Sequence, residues 1–114
     1  MLTINKTNID LTRGDSAYIT IEVTDAQGVP LELTSRDIIR VQVRYETDGG
    51  RVLFDGQIHR SDEGILWHIR PEDTDGVEPM DYVWDAQVEF ADGDIFTFIP
   101  VSRFRVLSEV TEVD

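Results

Sequence analysis

The chain has 114 residues, 40% of them hydrophobic, and carries ten Lys and Arg against 23 Asp and Glu. That length fits one domain over residues 1–114, and two Trp, three Tyr and five Phe are enough for a core. A net charge of −13 argues against nucleic-acid phosphates and anionic membranes as partners, and without Cys there is no disulfide or thiol chemistry. No apolar run approaches the roughly 18–20 residues of a membrane span, and the N-terminus lacks a signal-peptide pattern.

Period-two alternation of β-branched and aromatic residues runs along the chain, with Gly and Pro spread singly between the runs. Tyr18 to Thr24 alternates Ile19, Ile21 and Val23 with polar residues, and Asp25-Ala26-Gln27-Gly28 ends it as a turn. Thr34-Ser35-Arg36-Asp37 predicts a single helical turn capped by Thr34. Ile38 to Tyr45 places Ile39, Val41, Val43 and Tyr45 on one face, and Asp48-Gly49-Gly50 signals a hairpin into Arg51 to Asp55. A turn at Ser61-Asp62-Glu63-Gly64 precedes a strand from Ile65 to Ile69, and Pro71 to Thr74 reads as a short helical turn.

Met80 to Phe90 is the longest alternating run, with Tyr82, Trp84, Ala86, Val88 and Phe90 on one face. A three-residue loop, Ala91-Asp92-Gly93, closes the hairpin that follows and sets Val88 opposite Phe96. The same register sets Ala86 opposite Phe98 and Asp81 opposite Arg103. It also gathers Val83, Ile95, Ile99 and Val101 on the second face, too apolar a set for a face simply bathed in water. The expected fold is all-β: an Ig-like antiparallel β-sandwich of seven to eight short strands.

Site chemistry is sparse. Arg13-Gly14-Asp15 matches an integrin-recognition tripeptide, but Gly-Asp before a strand is ordinary turn chemistry. His59 and His68 are the only histidines, and with no Cys they read as two surface or strand residues, with no metal site. The carboxylate pairs Asp73/Asp75, Asp92/Asp94 and Asp62/Glu63 suggest glycosidase or calcium chemistry only by number; they fall in turns, and no EF-hand pattern surrounds them. No nucleophile elbow, phosphate loop or dinucleotide fingerprint is present, so the expectation is no catalytic residues, no cofactor and no enzyme. Trp67, Trp84 and Tyr82 would stack on a sugar if exposed, which keeps a carbohydrate-binding or host-adhesion module as the alternative.

Leu11-Thr12-Arg13-Gly14-Asp15-Ser16, followed by an alternating strand, resembles the opening of the N-terminal Ig-like domain of baseplate upper proteins of Gram-positive phages. It also resembles the opening of small tail-associated phage and prophage proteins. Asp25 to Thr34 is similar to that family's turn "DxxGxPxDLT", and Tyr82 to Val88 to its aromatic-x-aromatic-Asp-x-Gln strand. Asp92-Gly93, Thr97, Phe104 and Val106 match its closing segment, and Val110-Thr111 its usual ending. Pro79-Met80-Asp81 departs from the family, which commonly has Gly before the aromatic strand. The resemblance implies a non-enzymatic structural protein of the virion, in its tail or baseplate, made in the bacterial host cytoplasm. Its partners would be copies of itself, as a homo-oligomer, or other virion proteins, and the candidate assembly face is Val83, Ile95, Ile99 and Val101.

Overall fold

A computed structural model describes residues 2–47 and 50–109. Asp48 and Gly49 of the expected hairpin turn, and the Val110-Thr111 ending, lie outside the described residues. Among the described residues nine strands form: β1 (Leu2–Asn5), β2 (Asn8–Thr12), β3 (Ala17–Ile21), β4 (Ile38–Tyr45), β5 (Val52–Asp55), β6 (Gln57–Ser61), β7 (Gly64–Ile69), β8 (Asp81–Glu89) and β9 (Ile95–Leu107). One helical turn, α1 (Pro71–Thr74), connects β7 to β8. A six-stranded sheet in the order β1-β2-β9-β8-β4-β5 packs on a three-stranded sheet in the order β3-β7-β6. The fold is an all-β sandwich.

Three strands escape the sequence reading, namely β1, β2 and β6. The first two form a hairpin around Lys6 and Thr7, where Lys6 takes a positive φ of 59° without the Gly or Asn that usually marks such a turn. Beyond the hairpin, β2 pairs with β9 in parallel, Ile9 facing Phe104 and Leu11 facing Val106. The larger sheet is therefore mixed, with this one parallel pair in an otherwise antiparallel sandwich. Thr34 to Asp37 closes as a turn, with Asp37 N–H donating to the Thr34 carbonyl at 3.2 Å, and it is not a helix.

The core lies where the alternation places it. Ile19, Ile21, Ile39, Val41, Val43, Tyr82, Trp84, Ala86 and Val88 are buried, and Trp67 and Ile69 complete the facing layer. The Trp67 ring sits 5.1 Å from Trp84 and 6.1 Å from Phe104, so aromatics from both sheets meet at the centre. The chain crosses from the larger sheet to the smaller between β5 and β6, at Gly56. Its N–H donates to the Val41 carbonyl at 2.7 Å, and a Cβ there would stand 2.8 Å from the Val41 Cβ. Close approach of two backbones explains this glycine, since any side chain would push the sheets apart.

The β8–β9 hairpin begins as expected and then departs. Phe90 and Asp94 close a three-residue loop, Gly93 has a φ of 95°, and Val88 faces Phe96. After Thr97, two irregularities add extra residues to β9, so Ala86 faces Ile99 and Trp84 faces Ser102. Asp81 consequently faces Arg105, not Arg103, and Ala86 does not face Phe98. Pro100 lies within this stretch and has no N–H to give the ladder, which is where an antiparallel pair bulges. Two single-residue shifts restore the parity of the strand, and Phe104 and Val106 return to the core.

Candidate functional site

The outer face of the larger sheet was the expected assembly face, and its composition follows from the corrected register. Across the strands, Asp81 lies opposite Arg105, which neighbours Asp10; the next layer holds Arg103, Val83, Arg44 and Val52. Below it come Asp85, Gln42 and Asp55, then Thr97, Gln87 and Arg40, then Ile95, Glu89 and Ile38. Layers rich in carboxylates thus alternate with layers carrying arginine, and the ion pairs tie the face together. Arg105 grips Asp81 with two nitrogens at 2.7 and 3.4 Å, and Arg103 reaches Asp10 at 3.2 Å. Arg44 reaches Asp85 at 2.8 Å and Arg40 reaches Glu89 at 2.9 Å, while Gln42 donates to Asp55 at 2.9 Å.

Within this lattice the four apolar candidates separate. Val83 is half-buried between Arg44 and Arg103 in its layer, where an apolar spacer avoids a like-charge contact. Ile95 and Val101 are exposed, at 61% and 59%. Ile99 is half-buried, packs against the main core and faces Ala86, so it belongs to the inner face. No continuous four-residue apolar patch is formed. The hydrogen bond from Arg105 holds the Asp81 carboxyl below the usual carboxylate range, and burial pushes the Tyr82 phenol up.

A different apolar surface lies on the open side of the sandwich, where β1 edges one sheet and β3 the other. Ile4, Ile9, Ile19, Ile21, Trp84 and Ile99 line a groove between them, with a volume of about 130 Å³. Lys6 and Glu22 flank it. Ile4 is 46% exposed there. The sequence offered no sign of this groove, because it arises from the unread β1–β2 hairpin standing beside β3.

The remaining sequence candidates find structural roles. Arg13 donates to the Val77 carbonyl at 3.2 Å and to Glu109 at 3.0 Å, and Gly14 N–H donates to the buried Thr74 hydroxyl at 2.8 Å. The Arg13-Gly14-Asp15 stretch thus docks the β2–β3 connection on α1. Asp73 accepts from the Arg70 backbone at 2.9 Å and its guanidinium at 3.0 Å, which fastens the start of α1. Asp92 accepts from Asp94 N–H at 2.9 Å, and Ser61 from Glu63 N–H at 3.2 Å, as turn residues do. Trp67, Trp84 and Tyr82 are all buried, which removes them as sugar-stacking residues.

His59 and His68, by contrast, come together. The β6–β7 hairpin sets them as diagonal neighbours on the outer face of the smaller sheet, with ring centroids 6.2 Å apart. Tyr18 of β3, 61% exposed, faces His68 and stacks on it at 4.4 Å with 4° between the ring planes. No group of three or more His, Cys, Asp or Glu suited to a metal ion occurs among the described residues. No described helix is long and apolar enough to cross a membrane. No known protein-family model matches the chain, and no curated protein matches its sequence.

Proposed function

We propose that the chain is a non-enzymatic structural module of a phage or prophage particle, acting in or beside the tail or baseplate through protein–protein contacts. Its first partner is a second copy of itself; neighbouring virion proteins are the second class. The reading rests on the resemblance carried by Leu11 to Ser16, Asp25 to Thr34 and Tyr82 to Val88. The observation that carries the assembly role is the open side of the sandwich. There β3 is an edge strand, Ala17-Tyr18-Ile19-Thr20-Ile21, with no charge, Pro or bulge to blunt it. In a chain with a net charge of −13, an uncharged edge is the stretch on which two copies approach at least electrostatic cost. Two antiparallel copies of β3 about a two-fold axis would continue the ladder and cover the groove beside Ile4.

Sedimentation and native mass measurements test this directly. The parent should be oligomeric, and Ile4→Lys combined with Thr20→Lys should yield a monomer with an unchanged circular dichroism spectrum. A parent that stays monomeric at high concentration, or a double variant that assembles as before, removes the edge from the proposal. A carbohydrate-binding or adhesion module remains the alternative, resting now on the exposed Tyr18 ring stacked on His68. A glycan array distinguishes the two.

A further inference from the structure

We infer that His59 and His68 form an open two-histidine site for a borderline divalent transition metal, Cu2+ most tightly and Zn2+ less so. The chain has only two histidines, and the hairpin register brings both to one solvent-facing patch of β6 and β7. Two imidazoles bound to one ion at about 2.0–2.1 Å place their ring centroids about 5 Å apart. Against the observed 6.2 Å, closure needs about 1 Å of side-chain rotation, which falls to the exposed His59. The parallel stack of Tyr18 on His68 holds one ring in place, so less ordering is left to the metal.

The surroundings favour nitrogen-seeking ions over hard ones. Gln57 and Tyr18 lie across from His68, and Leu66 lies across from His59, so among the described residues no carboxylate stands beside the pair in the strand register. Calcium and magnesium require several oxygen ligands, whereas imidazole suits copper, zinc and nickel. The Arg60 side chain turns the other way, donating to the Asp37 and Thr34 carbonyls, so its cation does not oppose the metal. Two protein ligands leave the other coordination positions to water, which makes the site open. The inference does not depend on the assembly role proposed above.

Calorimetric titration of the full chain with CuCl2 and with ZnCl2, in a buffer that does not bind metal, is the test. One Cu2+ should bind per chain, more tightly than Zn2+. His59→Gln and His68→Gln should each weaken Cu2+ binding by about tenfold or more, since even the loss of an outer-shell partner costs about 10–100-fold. Electron paramagnetic resonance of the Cu2+-loaded parent should show superhyperfine structure from two nitrogens, a readout that does not depend on any variant folding. Binding unchanged in both variants, a single-nitrogen or oxygen-only spectrum, or displacement of Cu2+ by equimolar Ca2+ would each overturn the assignment.

Discussion

Trp84 shows how one side chain joins both sheets. Its ring is buried against Trp67 at 5.1 Å, and its indole N–H donates to the Thr7 carbonyl at 2.8 Å, tying β8 to the β1–β2 turn. Thr7 is held from its other side, its hydroxyl lying 2.7 Å from that of Ser102. Trp84→Ala removes the packing and leaves a part-buried carbonyl unsatisfied, at a cost of about 3–5 kcal/mol. A domain of this size is stable by only about 5–15 kcal/mol, so thermal denaturation should show a large fall in melting temperature. A variant melting within a few degrees of the parent would contradict the inward placement of Trp84. The burial of Trp84 was legible from alternation alone. Its hydrogen bond was not, because Thr7 is 77 residues away in sequence.

At the scale of elements, the β8–β9 hairpin carries the most consequence. Its loop and first pairs follow from local chemistry, namely Asp92 turning the chain and Gly93 supplying a positive φ. Further along, Pro100 interrupts the ladder, and the first of the two shifts in β9, between Thr97 and Ile99, turns Ile99 inward while Ile95 stays out. The two isoleucines should therefore respond differently to the same substitution. Ile95→Lys places a cation opposite Glu89 at an exposed position and should change stability by no more than about 0.5 kcal/mol. Ile99→Lys puts an ammonium against the core and should cost about 2 kcal/mol or more. Chemical denaturation of the two variants measures the contrast. Equal effects would mean that the strand runs without its irregularities. Proline was the readable sign of the bulge; which way Ile99 turns depends on how two sheets pack across Ala86.

For the whole molecule, charge is distributed unevenly. The outer face of the larger sheet is nearly balanced, with Arg40, Arg44, Arg103 and Arg105 set among Asp10, Asp55, Asp81, Asp85 and Glu89. The excess acid behind the net charge of −13 lies instead in turns and connections, including Asp62, Glu63, Glu72, Glu78, Asp92 and Asp94. Exposed ion pairs contribute about 0–1 kcal/mol each and lose little when screened, while like-charge repulsion acts across the whole surface. Melting temperature should therefore rise from low to physiological ionic strength, as scanning calorimetry at two salt concentrations would record. A fall would show that the ion-pair lattice outweighs the repulsion.

The sequence by itself determined the all-β class, the inward faces of β4 and β8 and the closing loop of the last hairpin. Each of these follows from neighbours a few residues apart, through period-two alternation and the backbone preferences of Gly, Pro and Asp. Only the tertiary structure decided the parallel pairing of β2 with β9, the crossing at Gly56, the open groove beside β3 and the meeting of His59 with His68. Those features depend on which strands become neighbours, and strand adjacency is fixed by the joint burial of two sheets around Trp67, Trp84 and Phe104. Local periodicity says which way a side chain points, but only the packed sandwich says what it meets there.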